Sequence, residues 1–257
     1  MVFGALLWSS ISFFVFYLVL LVLALLEFYR HKENEGIRIQ KYAALCASII
    51  LFSLLFGYAS GNISPKWLSL LLLFPPFMMI RELYRKDERS FDNLAATFYG
   101  IIYTVVPISL LNLIVFPGDI SGSPYNPGIV IGIFILIMIN DTVAYLVGVP
   151  FGNNRLFKSV SPKKSWEGTL GGGAAVIAAA LFMTRLFPLL DRTNWLVVGV
   201  IVIVFGVYGD LVESLFKRRL GIKDSGKLLP GHGGVLDRID AWLFVIPASW
   251  VYFNFIF

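Results

Sequence analysis

The chain has 257 residues, 58% of them hydrophobic and only 14% charged, with a formal net charge of +5 and a mean hydropathy of +0.79. A soluble domain carries about 25% charged residues, so the composition excludes a soluble enzyme and specifies an integral membrane protein. The single cysteine, Cys46, excludes an internal disulfide. No Ser/Gly-rich linker, charge block, low-complexity tract or repeat divides the chain, which reads as one membrane domain over residues 1–257.

A spanning helix needs about 20 mostly apolar residues. Eight stretches qualify: 5–28, 42–59, 67–80, 95–116, 128–148, 169–187, 195–211 and 241–257. The expected fold is therefore all-α, a polytopic bundle of about eight transmembrane helices. No turn signal splits the first stretch. The chain starts almost inside it without the basic leader of a signal peptide, so it is expected to be retained. The third is short and carries Pro75 and Pro76, which predicts a kink or tilt. With alternating spans, the loops after spans one, three, five and seven share one side and hold 18 of the 21 basic residues. Lys and Arg accumulate in cytoplasmic loops. This asymmetry puts both termini outside and segment 214–240 in the cytoplasm. For the first two basic loops, attraction to anionic headgroups is explanation enough.

The later segments carry more than charge. Asp141 lies inside the fifth stretch, in I-N-D-T-V-A-Y, and Asp210 and Glu213 lie where the seventh meets the cytoplasm, in Y-G-D-L-V-E-S. A carboxylate at the bilayer centre costs about 2.5–3.5 kcal/mol on insertion scales, so such groups face a wet cavity or a partner. Asp210 and Glu213 are three apart on one helical face, with Ser214 following; a simple ion pair with a loop arginine is the plainer reading. In K-S-V-S-P-K-K-S-W-E-G, Ser161 and Pro162 read as an N-cap and first helical position. Lys163 and Lys164 then fall in the first helical turn, where cations oppose the macrodipole unless an anion sits between them and the free N–H groups. Snorkelling to headgroups is the alternative. Gly168 and Gly171 to Gly173 predict close helix packing. No Walker A or G-x-G-x-x-G pattern is present.

The 214–240 segment reads S-L-F-K-R-R-L-G-I-K-D-S-G-K-L-L-P-G-H-G-G-V-L-D-R-I-D. Its glycines let backbone approach a ligand closely. Asp237 and Asp240 stand three apart at the start of the last stretch; either alone would be an ordinary cap. Two acidic pairs bracketing a basic loop suit phosphates and Mg²⁺, which prefers hard oxygen ligands. His232 has no second His or Cys nearby for zinc. Phosphoryl and nucleotidyl transfer need such oxygens, a metal and Lys/Arg clamps, and no nucleophilic side chain.

This segment resembles the signature of the phosphatidate cytidylyltransferases, also called CDP-diacylglycerol synthases. Ser214, Lys217, Arg218, Lys223, Asp224, Gly226, Pro230, His232, Gly233, Gly234, Asp237, Arg238 and Asp240 all stand in its pattern. N-D-T-V-A-Y, S-P-K-K-S-W-E-G (with Ser165) and G-D-L-V-E-S also look like the family's. The resemblance covers the second half of the chain and implies transfer of CMP from CTP to phosphatidate, giving CDP-diacylglycerol and pyrophosphate for phospholipid synthesis. It implies Mg²⁺ on Asp210 and Asp237, to which Asp240 is added, with room for a second cation such as K⁺. Asp210, Asp237, Lys217, Arg218, Asp224 and His232 are the expected catalytic residues. The expected substrate-binding residues are Lys163, Lys164, Ser165, Ser214, Lys223, Gly233, Gly234, Arg238, Asp141 and Glu213. Residues 141–240 would carry the site, and the N-terminal half would supply scaffold and lipid cavity. The expected partners are CTP, phosphatidate and membrane lipids, not nucleic acid, with a homodimer open. The expected location is the cell membrane, with the site on its cytoplasmic side. Family members commonly have one more N-terminal hydrophobic segment, and this chain starts at what resembles their second. Another CTP-dependent membrane lipid kinase and an anion or lipid transporter are the competing readings.

Overall fold

A computed structural model describes residues 2–117, 124–222, 225–226 and 233–256. Among them, seven helices are long and apolar enough to cross a membrane, and the chain is a multi-pass membrane protein. It divides into two compact units, one formed by residues 1–125 with 226–236, the other by 126–225 with 237–256.

The first unit begins with α1 (Val2–Trp8) and α2 (Ser10–Asn34). The first apolar stretch is thus broken at Ser9. Ser9 Oγ accepts from Ser12 N–H, and Ser12 Oγ accepts in return from Ser9 N–H. This is a capping box whose return residue is Ser in place of the usual Glu, which is why no charged signal marked it. Next come α3 (Lys41–Ala59), a 3₁₀ segment Pro65–Leu73 and α4 (Phe74–Arg85). The expected kink is this switch of helix type. Pro75 and Pro76 fall in the first turn of α4, where a missing N–H costs no hydrogen bond. The unit continues with α5 (Ser90–Gly100), a π segment Ile101–Val105 and α6 (Val106–Ile114). The π segment begins beside Tyr29, whose hydroxyl donates to Thr97 O at 2.7 Å. Glu82 of α4 is 2% exposed. It accepts from Gln40 Nε2 at 2.6 Å, Asn93 Nδ2 at 3.1 Å and Arg85 at 3.1 Å, so its burial is compensated.

The second unit is built on α7 (Gly128–Phe151), α8 (Trp166–Leu186) and α9 (Arg192–Arg219). Helices in lipid gain little from apolar burial against one another and associate through close packing. A Cβ on Gly168 would lie 2.6 Å from Ala144 O, and one on Gly172 would lie 2.8 Å from Asn140 O. The backbones of α7 and α8 therefore touch, as the glycine run predicts. Trp195 of α9 is fully buried and donates from Nε1 to Phe187 O. Between α7 and α8 lies an antiparallel hairpin, β1 (Arg155–Phe157) and β2 (Ser161–Ser165). The chain closes with α10 (Leu236–Ile239), which bridges the two units in sequence, and α11 (Trp242–Phe253). Trp242 stacks on Phe134 with ring centroids 4.0 Å apart.

Two expectations about elements need correction. Ser161 and Pro162 do not start a helix: they lie on β2, with Lys163 and Lys164. The N-cap is Ser165, whose Oγ accepts from Gly168 N–H, so the cations stay out of the unfavourable first turn. The seventh span also runs on to Arg219, which puts Ser214, Lys217 and Arg218 on a helix. Three basic residues in that last turn complement the macrodipole and prolong it. The eighth expected stretch is a 12-residue helix with Pro247 inside it. At about 1.5 Å per residue it is shorter than a full span.

Candidate active site

In the second unit, α9 delivers Asp210 and Glu213 one turn apart. The turn after α10 delivers Asp240, and one carboxylate oxygen from each of the three lies within 4.8 Å of the other two. Gly209 makes this possible. A Cβ there would lie 2.6 Å from Asp240 O and 3.0 Å from Ala241 Cα, both backbone atoms that cannot yield cheaply. Gly209→Ala is therefore expected to push the 240–241 backbone off α9 and part Asp240 from Asp210. Divalent-cation affinity should fall about tenfold or more, by analogy with changes that misplace metal ligands. A Mn²⁺ titration of the purified protein followed by electron paramagnetic resonance checks it.

Two lysines stitch the cluster. Lys164 Nζ reaches Asp210 Oδ2 at 2.5 Å from β2. Lys217 Nζ lies 2.5 Å from Glu213 Oε2 and 2.7 Å from Asp237 Oδ1. The other oxygen of Asp237 accepts from Ser225 N–H at 2.9 Å, and Ser214 Oγ donates to Asp210 Oδ1 at 3.2 Å. Asp210 and Asp237, expected as joint metal ligands, thus belong to one network, in which Glu213 stands beside Asp210 and Asp237 touches Glu213 and Lys217. Asp240 accepts from Ala241 N–H. Burial first, and the Asp210 carboxylate second, push the Asp240 carboxyl up to about 7.

The donor set fits a divalent cation. Three of the four carboxylates pair with two ammonium groups, and carboxyl oxygens are the hard ligands that Mg²⁺ takes. Glu213 is 1% exposed and is held by the Lys217 ammonium, with the Asp237 carboxyl beside it.

A cleft of about 540 Å³ opens beside Asp210, lined by Asp141, Tyr145, Arg155, Lys163, Lys164 and Ser165 among others. Asp141 Oδ1 accepts from Asn140 Nδ2. The cleft thus joins the intramembrane carboxylate, the two strand lysines and the cluster. Arg218 is exposed, and its Nε donates to Val160 O, which ties the end of α9 to the hairpin. Arg238 is exposed too. Gly233 and Gly234 fall in the first unit, Gly233 with φ of 80°, a conformation few other residues adopt. Lys223, Asp224 and His232 lie outside the described residues. Sequence reasoning missed Arg155, Tyr145 and the Ser225 N–H. A hairpin of three and five residues gives too short a pattern to place Arg155. A backbone donor has no side-chain signal at all.

The model of the Cytidylyltransferase family matches residues 1–256. The chain is 45% identical over 116 residues to phosphatidate cytidylyltransferases of Staphylococcus aureus (strain COL) and Staphylococcus epidermidis; each match covers 44% of this chain and 44% of the relative. The matched region thus spans less than half the length of these relatives. A phosphatidate cytidylyltransferase of Staphylococcus saprophyticus is 31% identical over 229 residues, 87% of this chain and 85% of the relative.

Proposed function

Since the chain belongs to the cytidylyltransferase family, we propose that it is a membrane phosphatidate cytidylyltransferase. In this reading it transfers CMP from CTP to phosphatidate and yields CDP-diacylglycerol and pyrophosphate. The observation that carries it is the meeting of Asp210 with Glu213 and Asp240, where Asp210 also lines a cleft that holds Lys163 and Lys164. A phosphatidate phosphate oxygen attacks the α-phosphorus of CTP, and the bond from that phosphorus to the bridging oxygen of pyrophosphate breaks. Both reactants are anionic. The chain's task is to hold them together against their repulsion and to keep them in line, and no side-chain nucleophile is required.

Mg²⁺ held by Asp210, Glu213 and Asp240, with Asp237 alongside, would offset the charge that develops on the phosphoryl oxygens. Lys164 pairs with Asp210 and can turn to a phosphate, since partly exposed lysine heads reorient at little cost. Lys163 and Arg155, exposed on the hairpin, offer further cationic donors to the triphosphate. Lys217 holds Asp237 and Glu213 in register. Asp141, on the membrane-spanning wall of the cleft, orders the end through which a lipid phosphate would arrive. The accumulation of Lys and Arg in alternate loops supports a site on the cytoplasmic face of the cell membrane.

The test is direct. Purified protein with labelled CTP, Mg²⁺ and phosphatidate should form CDP-lipid and pyrophosphate. Release of CDP would mean a lipid kinase, and transport without turnover would mean a carrier; either result removes the proposal. The acidity of Asp240 adds a second expectation. With its carboxyl near 7 in the metal-free protein, protons compete with the metal below that pH and cease to compete above it. The Mg²⁺ concentration for half-maximal rate should fall as pH rises from about 6 to about 7, by up to about tenfold. Magnesium titrations at stepped pH check this.

A further inference from the structure

The proposed chemistry leaves one buried carboxylate in an apolar helix without a task. Glu27 lies in the run A-L-L-E-F-Y of α2 and is 4% exposed. Its Oε2 accepts from Val235 N–H at 2.8 Å and its Oε1 from Leu236 N–H at 3.2 Å. These are the backbone donors at the start of α10. Gly226 completes the cradle: a Cβ there would lie 3.0 Å from Glu27 Oε2 and 3.4 Å from Gly234 Cα. One carboxylate therefore gathers Gly226 and the backbone of residues 234–236.

On either side of this cradle the chain runs directly into the acidic network. Ser225 precedes Gly226, and its N–H donates to the Asp237 carboxylate. Asp237 itself follows Leu236, and Asp240 comes three residues later. Resting on the proposed cytidylyltransferase function, the geometry points to Glu27 as a positioning residue for the nucleotidyl transfer. It fixes the backbone from which Asp237 and Asp240 project, and it touches neither substrate nor metal. A carboxyl group is needed because its two oxygens can accept two N–H bonds. A glutamine has one acceptor oxygen, and its amide would set N–H against N–H. The other buried glutamate of the first unit, Glu82, has side-chain donors from three residues, Gln40, Arg85 and Asn93.

The experiment compares wild type with Glu27→Gln, Glu27→Asp and Gly226→Ala. The readouts are Mn²⁺ binding to the substrate-free protein by electron paramagnetic resonance, the Mg²⁺ dependence of turnover, and melting temperature in detergent. Glu27→Gln should weaken Mn²⁺ binding and raise the Mg²⁺ requirement by about 10- to 100-fold, the range for residues that orient metal ligands. The KM for phosphatidate should stay within about twofold, because no lipid contact is lost. Glu27→Asp, which keeps the charge, should recover part of the affinity. Gly226→Ala, which nudges the carboxylate without removing it, should show a milder shift in the same direction, and it serves if Glu27→Gln does not fold. Variants that melt earlier yet bind Mn²⁺ and respond to Mg²⁺ like wild type would overturn the inference and leave Glu27 a purely structural group. Wild-type protein that binds no Mn²⁺ would overturn it as well. Mn²⁺ binding weakened by Glu27→Gln in a protein that never turns over CTP and phosphatidate would sink the proposed function and leave the positioning role standing.

Discussion

Asp210→Asn should lower turnover at least about a thousandfold, equivalent to about 4 kcal/mol of lost transition-state stabilisation, while the metal-free protein becomes no less stable. The second half of this expectation separates a metal ligand from a scaffold residue. Asp210 stands within 4.8 Å of Glu213 and Asp240, so in the absence of a cation it is one of several like charges at close quarters. Asparagine keeps its size and an acceptor for Ser214 Oγ. It loses the pair with Lys164, but Lys164 and Asp210 have side chains 27% and 38% exposed. A pair that open to water contributes about 0–1 kcal/mol. Relief of repulsion in the cluster should offset that loss. If Asp210 were there only to anchor Lys164, the substitution would leave the Mg²⁺ requirement unchanged and cost turnover only slightly. Measuring turnover with labelled CTP beside the melting temperature without Mg²⁺ distinguishes the two. A trade of activity for stability is the signature of charges concentrated for chemistry.

Much of this architecture was legible because the physics of the bilayer is strict. Backbone groups in lipid must be satisfied internally, so a run such as Gly128–Phe151 has little choice but to be a helix. The carboxylates Asp141, Asp210 and Glu213 stood out because their cost in such runs is high. The same reasoning, carried further, would have found Glu27, a carboxylate in the first apolar run that the denser motifs overshadow. Legibility failed at polar ends, where several local solutions compete. Ser161 and Pro162 carry a valid helix-start pattern, yet Ser165, four residues on, is the cap that is used. Nothing local ranks the two: the choice is made by tertiary contact, the backbone-to-backbone seam of α7 on α8 that begins at Gly168. The grouping of Glu213 with Asp210 follows from helical spacing. That Asp240 joins them while Asp237 turns to Lys217 depends on the path of the chain after Leu236, which no spacing rule contains.

Loss of Lys217 should cost stability as well as activity. Its ammonium group lies between Glu213 and Asp237, whose side chains are only 2% and 14% exposed, and its own side chain is 17% exposed. Removing one partner of a buried pair leaves the other charge uncompensated, at a cost of about 3–5 kcal/mol. Here two carboxylates lose the same partner. Lys217→Met preserves the volume of the stem and removes only the charge, so the melting temperature in metal-free detergent should drop on the order of 10 °C. Lys164→Met, whose partner is open to water, should leave it nearly unchanged. Two further measurements fix the cause. Adding Glu213→Gln to Lys217→Met should restore part of the stability, because a neutral amide no longer needs a buried counter-charge, and it should not restore turnover. Mg²⁺ should also raise the melting temperature of Lys217→Met more than that of wild type, since a cation among Asp210, Glu213 and Asp240 supplies positive charge that the lysine no longer provides. A Lys217→Met protein that melts like wild type and ignores Mg²⁺ would mean that the lysine reaches headgroups and water, and that Glu213 and Asp237 are stabilised by other means.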